Sequence, residues 1–243
     1  MTHVWLLPPG ERRRVPLLER WLAWLFPPAR ALAGPVADDE LARELGRLLG
    51  AAYECSAVQS VETTARRVGR DERVILVPSP DGSEDPLARA MAALGPIRVE
   101  LVTAPPPLSE PAMIEALAET IREGVMALAR ADYAVLFCAD AQCDARRIVA
   151  QLIEATRLTR PWRIVYAAPR PLGRWRLRAS LRRLAAPAVL AVPITAVRDL
   201  ELDVEALAPR LVRAPGLGRR PTYVRALKAL VERAEREAGW SSS

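Results

Sequence analysis

Short apolar runs of strand length alternate with helical patterns along this chain. The clearest run is Tyr133–Cys138, which is too short for a buried helix. A run that is apolar on both faces is typical of a central strand in a parallel sheet covered by helices on both sides. The run stops at Asp140, and a helical pattern resumes after Cys143. Because ligands of open parallel sheets bind just outside the carboxyl ends of the strands, Asp140 is the best candidate functional residue.

The same alternation extends over the whole chain and predicts its architecture. Further strands are predicted at 4–7, 52–58, 73–77, 97–102, 162–167 and 188–192, and helices between them include 16–26, 62–68, 143–158, 174–185 and a short one at 203–207. Alternating strands and helices predict an α/β fold with parallel sheets, doubly wound. The proline-rich connector at 104–107 predicts a boundary between two Rossmann-like halves, 1–107 and 108–243.

Composition narrows the cellular context. No apolar run reaches the roughly 18 residues of a membrane-spanning helix, and the first residues lack a signal-peptide pattern, so a soluble cytoplasmic protein without a transmembrane segment is expected. Cys55, Cys138 and Cys143 form no CxxC pair and are interpreted as reduced thiols. Since His3 is the only histidine, a zinc site is not expected.

The positive charge has two interpretations. The net charge is +6, and nearly all basic residues are arginine, because Lys228 is the only lysine. We interpret the excess as a compositional bias, with basic residues spread among acidic ones, and expect no nucleic-acid partner. The alternative is that the excess attracts an anionic ligand or nucleic acid.

Common catalytic and nucleotide-binding motifs are absent. The chain contains no GxGxxG, GxxxxGK[ST] or GxSxG, so the usual dinucleotide, nucleotide and serine-hydrolase functions lack support. Ser83 follows Gly82 where a strand leads into a helix, and the backbone amides there could hold an anion. The alternative is an ordinary serine cap of that helix.

Acidic residues follow two predicted strands of the second half. Asp140 could act as a metal ligand or proton acceptor, or simply cap the next helix. Asp199 and Glu201, with Asp203, come after the strand at 188–192 and could form the other wall of a cleft. The alternative is a solvated helix start, where acidic side chains interact favourably with the helix dipole.

Several stretches together carry a family resemblance. Residues 166–175 read YAAPRPLGRW, residues 189–201 read VLAVPITAVRDLE, and residues 213–227 read RAPGLGRRPTYVRAL. In order and spacing they resemble the Y-Q-S-R-x-G-P-x-x-W, V-V-P-[IV]-x-F-V-S-D-H-x-E and R-x-P-x-L-N-x-x-P-x-F-I-x-A-L stretches of the ferrochelatase family. LFCAD, ending at Asp140, resembles that family's L-F-S-A-H. In the first half, 75–83 resembles V-L-P-L-Y-P-Q-Y-S, and 4–10 resembles V-L-L-L-N-L-G.

The resemblance implies a chelatase-like fold with a porphyrin in the cleft between its halves. Tyr166, Trp175 and Ser83 fall on the family's ligand-binding stretches. Arg170 and Arg174 are the expected partners of the porphyrin carboxylates, since guanidinium pairs with carboxylate through two hydrogen bonds. The implied partners are a tetrapyrrole and a homo- or hetero-oligomer with an active chelatase.

Departures from the family pattern bear on catalysis. Metal insertion needs a base for the pyrrole protons and ligands for a borderline metal such as iron, and imidazole serves both. The family's histidine position is Asp140, its acidic partner falls on Leu202, one position after Glu201, and the arginine of Q-S-R falls on Pro169. We therefore expect a porphyrin-binding relative whose activity is lost or reduced. The alternative is an active chelatase that inserts a divalent metal with carboxylates, Asp140 and Glu201, supported by Asp199.

Overall fold

Two parallel sheets flanked by helices make up the fold, which confirms the predicted α/β class. The computed structural model describes residues 1–7, 39–58, 60–78, 84–129, 131–139, 145–166, 172–194, 211–214 and 220–240. The helices predicted at 16–26 and 203–207 lie outside these residues. Among the described helices, none is both long enough and apolar enough to cross a membrane.

The first sheet comes from the amino-terminal part of the chain. Its strands pair in parallel in the order β2-β1-β3-β4. Ser60 begins the second helix, because its side chain accepts a hydrogen bond from the backbone N–H of Thr63. The elements are β1 (Thr2–Leu6), α1 (Asp39–Leu49), β2 (Tyr53–Ala57), α2 (Val61–Ala65), β3 (Arg73–Val77), α3 (Glu84–Leu94) and β4 (Glu100–Thr103).

The second sheet follows a 3₁₀ turn at Pro107–Ser109. Its strands are also parallel, in the order β6-β5-β7-β8. The short strand β8 was not predicted from the sequence. The elements are α4 (Pro111–Leu128), β5 (Ala134–Ala139), α5 (Ala145–Thr156), β6 (Trp162–Tyr166), α6 (Leu172–Leu184), β7 (Val189–Pro193), β8 (Leu211–Arg213) and α7 (Pro221–Glu237).

The strand order is the same in both sheets. In each, the first strand pairs with the second on one side and with the third on the other, and the fourth pairs with the third. This order, in which the chain winds to one side and then to the other, is that of a doubly wound α/β unit. The central position of β5, between β6 and β7, confirms the strand predicted from Tyr133–Cys138.

Amphipathic helices cover the sheets. In the second sheet, Leu177 and Leu184 of α6 pack with Leu136 and Val165 in one apolar cluster, with Leu181 against it. The spacing of these leucines at three and four residues places them on one side of the helix. In the first sheet, Trp5 and Leu76 pack with Ala90 and Leu94 of α3.

The chain divides into two compact units. The first includes the described residues up to Met113 together with 220–240, and the second includes those from Ile114 to 214. The C-terminal helix α7 thus belongs to the first unit, whereas the sequence pattern placed it in 108–243. It is held there by a 2.6 Å hydrogen bond from Tyr53 Oη to the buried Glu235 carboxylate, and by an ion pair between Arg233 and Glu110.

Candidate functional site

The carboxyl edge of the second sheet is the predicted location of the site. The strand register pairs Ala139 of β5 with Tyr166 of β6, and Cys138 with Pro193 of β7. The backbone N–H of Ile194 extends this pairing by donating to the Cys138 carbonyl at 3.0 Å. Since neighbouring strands lie about 4.8 Å apart, the three strands end side by side at this edge.

The strand order places the switch point of this sheet between β5 and β7. The chain moves from β5 to β6 on one side and then crosses to β7 on the other. In open α/β sheets, ligands bind in the crevice outside the carboxyl ends of the strands at such a point. Asp140 is the first residue after β5, and Thr195 follows Ile194 after β7. That both segments line the crevice stays a prediction from their position in the chain.

Five of the predicted site residues follow strands in the sequence but are not described by the structure. Outside the described residues lie Asp140, Asp199, Glu201, Ser83 and Arg170. Arg174 belongs to the first turn of α6, but its side chain is not among those described. The arrangement of these side chains stays a prediction.

The two predicted aromatic contacts are both described, on different sides of the edge strand. Tyr166 is the last residue of β6 and is partly buried. Val165 faces α6, so Tyr166, by strand alternation, faces the other side of the sheet. Trp175 is 67% exposed, on the side of α6 away from Leu177. None of the described ring contacts joins Tyr166 and Trp175, and their shared role in binding stays a prediction.

Both described cysteines are free thiols within strands, and Cys138 is buried whereas Cys55 is partly buried. Burial raises the pKa of Cys138 to about 12. Burial, followed by the neighbouring Glu54 carboxylate, raises the pKa of Cys55 to about 12 as well. A thiol with such a pKa stays protonated near neutral pH and is neither a nucleophile nor a ready metal ligand.

A polar cluster that the sequence did not suggest surrounds the only histidine. His3 is 4% exposed, its Nε2 lies 2.8 Å from Glu72 Oε2, and its Nδ1 lies 3.4 Å from Glu54 Oε2. Glu72 also accepts the backbone N–H of Gly69 at 2.5 Å. This hydrogen bond, followed by the one from His3, lowers the pKa of the Glu72 carboxyl.

The position of this cluster favours a structural role. His3 and Glu54 are second residues of their strands, and Glu72 precedes β3, so the cluster lies at the amino edge of the first sheet. Ligands of open α/β sheets bind at the opposite edge. Within the described part of the chain, no group of three histidine, cysteine or acidic side chains could hold a metal ion. Two acidic residues could have revealed the cluster in the sequence: Glu54, near the start of β2, and Glu72, just before β3.

Comparison with known proteins finds similarity among solved structures only. No family model and no curated protein matches the chain. Among solved structures, the chain is similar to DR2241 from Deinococcus radiodurans, described as a multi-domain protein with structural similarity to chelatases and two additional novel domains. The two share 17% sequence identity with a TM-score of 0.49, over 95% of this chain and 55% of that one. This chain therefore spans about half the length of that protein.

Proposed function

We propose that this chain is a ferrochelatase-like protein of heme or tetrapyrrole metabolism that binds a porphyrin, with metal insertion lost or reduced. The observation that carries the proposal is the convergence of three sequence stretches. The stretches that resemble the ferrochelatase family include Ala139, Tyr166 and Pro193, and these three residues lie at the ends of three adjacent strands. Residues up to 54 positions apart in the sequence thus lie at one sheet edge, where ligands of such folds bind.

The chemistry of this edge suits a flat apolar ligand with anionic substituents. Ala139 and Ile194 are buried apolar residues at the ends of β5 and β7, and the ring of Tyr166 is partly accessible beside them. Ligand sites are mostly apolar, with a few polar groups that set orientation. Arg170 and Arg174 follow β6 in the sequence and supply guanidinium groups for the porphyrin carboxylates.

Reduced activity follows from the residue types available as a base. Asp140 stands at the family's histidine position, and an aspartate with a reference pKa of about 3.9 is a weaker proton acceptor than imidazole at about 6.5. Cys138, two residues earlier, does not replace it, since its pKa is raised to about 12 and its side chain packs under α6. Burial of Asp140, with Asp199 or Glu201 close by, would raise its pKa and restore some basicity.

Porphyrin titration tests the binding proposal. We expect the Soret absorption of protoporphyrin to shift over a micromolar titration with the purified chain. Tyr166→Ala should weaken binding by roughly threefold to tenfold, as expected for the loss of one aromatic contact. The matched control is Tyr133→Ala, which removes a tyrosine from the opposite end of the same sheet, where its ring contacts Arg160. An unchanged spectrum, or equal weakening by the two variants, contradicts the proposal.

Iron insertion under reducing conditions tests the proposed loss of activity. We expect little or no metalloporphyrin from the parent chain and a gain with Asp140→His. If the parent turns over and Asp140→Ala abolishes turnover, the carboxylate is a working catalytic group and the active chelatase is the correct alternative. If Asp140→His also stays inactive while porphyrin binds, a binding role remains.

A further inference from the structure

One long segment of this chain contains arginines but no acidic residues. Between Glu154 and Asp199 the sequence contains ten arginines and no acidic residue. Since the chain has 35 basic and 29 acidic residues, the other residues contain 25 basic against 29 acidic ones. The even spread of basic residues assumed from composition is therefore wrong for this segment. A compositional bias alone does not explain why acidic residues are missing here and balance the arginines elsewhere.

Helix α6 turns this segment into a surface. Its leucine side is buried against the second sheet, so the opposite side faces solvent. Trp175, Arg178 and Arg182 recur there at spacings of three and four residues, and all three side chains are exposed, as is Arg183 beside them. Exposed helix faces usually mix both signs of charge, whereas this face has no carboxylate.

The edge strand β6 contributes one further exposed arginine. Strand β6 contacts α6, and Arg163 lies on the side of the strand that α6 covers, because it alternates in phase with Val165. The Arg163 side chain is exposed. We call Arg163, Trp175, Arg178, Arg182 and Arg183 the arginine face.

The arginine face has no internal counter-charge among the described residues. The ion pairs among the described residues are made by other basic residues. None of them includes Arg163, Arg178 or Arg182. Guanidinium groups that are exposed and held on rigid elements bind phosphates through paired hydrogen bonds. An exposed tryptophan among them adds a flat surface on which a base can stack.

From this charge and aromatic arrangement we infer that the arginine face binds single-stranded nucleic acid. Phosphates pair with the arginines, and one unpaired base stacks on Trp175. A lipid surface fits less well, because interfacial helices insert an apolar side into the membrane, and the apolar side of α6 is buried in the core. A duplex also fits less well, since its bases are already stacked and offer no free face to Trp175.

Fluorescence anisotropy with a labelled 20-nucleotide oligo(U) and oligo(dT), over a salt series, tests this inference. The parent should bind at micromolar protein, and more tightly than it binds a duplex of equal length. Arg178→Gln/Arg182→Gln should weaken binding about tenfold and reduce the slope of log K against log salt by about 1.4, since each single-strand phosphate contact contributes about 0.7. Trp175→Ala should weaken binding roughly fivefold to a hundredfold with the slope retained.

The matched control changes the charge equally at another place. Arg66→Gln/Arg67→Gln removes two exposed arginines at the end of α2 and should leave the affinity within about twofold. Circular dichroism of each variant checks that α6 is intact. The inference is overturned if the parent does not bind either oligonucleotide, if the two double variants weaken binding equally, or if Trp175→Ala binds like the parent. A parent chain that binds no oligonucleotide but sediments with phosphatidylglycerol vesicles, and a double variant of Arg178 and Arg182 that no longer does so, would identify a lipid surface as the partner instead.

Discussion

At the scale of single residues, Cys138 illustrates how position decides reactivity. It lies one residue from the end of β5, close to the predicted site, where a thiolate would be a plausible ligand for a borderline metal. Its side chain points into the apolar cluster under α6 instead, and burial raises its pKa to about 12. Successive side chains of a strand face opposite sides of the sheet, so Cys138 faces α6 and not the other side, which Tyr166 faces.

Cys138 and the partly buried Cys55 should therefore resist alkylation. At pH 8 a thiol with a pKa of about 12 is ionised in only about one molecule in 10⁴, and the thiolate is the reactive form. We expect Cys55 and Cys138 to stay unmodified by iodoacetamide in the native chain and to react once the chain is unfolded in urea. Peptide mass spectrometry measures this separately for each cysteine. Rapid native labelling of Cys138 would show that its side chain reaches solvent.

A second prediction for a single residue concerns how the contribution of Glu72 to stability depends on pH. Its pKa is lowered by the hydrogen bonds from Gly69 and His3, so the folded state favours the carboxylate. A lowered carboxyl pKa stabilises the folded state at pH values above the pKa of the unfolded chain, which is about 4.3 for glutamate. This stabilisation is lost as the pH falls through the pKa of the folded state. Glu72→Gln should lower the free energy of unfolding by about 0.5–1 kcal/mol at pH 7, and the difference from the parent should shrink toward pH 3.

Urea unfolding of the two proteins at pH 7 and pH 3 measures that difference. Glu119→Gln serves as the control, because none of the described contacts includes the Glu119 carboxylate. A difference between parent and Glu72→Gln that persists undiminished at pH 3 would mean that charge on Glu72 plays no part.

At the scale of elements, the contact between α4 and β7 is the tightest described helix–sheet approach made through a glycine. A Cβ added at Gly124 would lie 2.6 Å from Leu190 Cδ1, and Leu190 is fully buried in β7. Gly46 offers a contrast in α1, since a Cβ there would meet Cys55 at ordinary distances of 3.5 and 3.7 Å. The two helical glycines thus differ in what surrounds them.

Alanine substitution should separate the two glycines. In a helix interior, alanine gains about 1 kcal/mol over glycine, while forcing a side chain into a packed core costs roughly 1–3 kcal/mol. We expect Gly124→Ala to be destabilised by about 1 kcal/mol, Gly46→Ala to be neutral or more stable, and Leu190→Val to lessen the loss at Gly124. Unfolding free energies of the three variants measure this. A Gly124→Ala protein more stable than the parent would contradict the close approach.

The periodicity of the sequence predicted strands well where the local hydrophobic pattern determines their position. The strand at Arg73–Val77 and the central strand near 133–138 were placed within a residue, because continuous apolar runs bounded by polar residues have few other interpretations. Strand β8 was missed because Leu211–Arg213 is too short to show a period. The contact of Tyr53 with Glu235 joins residues 182 apart, which no local pattern encodes. The His3 cluster was missed for the same reason.

At the scale of the whole molecule, the two sheets repeat one topology. Sequence predicted two halves but not the identical strand orders, because order depends on which strands pair in space. It predicted a site at strand ends, and the register places Tyr166, Ala139 and Pro193 side by side at the ends of their strands. The individual roles of the loop residues depend on side-chain positions that a strand pattern does not determine.

Amide hydrogen exchange with and without saturating protoporphyrin tests the tetrapyrrole proposal most directly, because it reports where on the chain the ligand acts. The proposal predicts slower exchange in peptides covering 139–145, 166–174 and 193–200, at the carboxyl ends of β5, β6 and β7. Peptides at the amino edge of the first sheet, which contain His3 and Glu54, should exchange as before. Unchanged exchange at all three strand ends, or protection confined to other parts of the chain, would contradict the proposal.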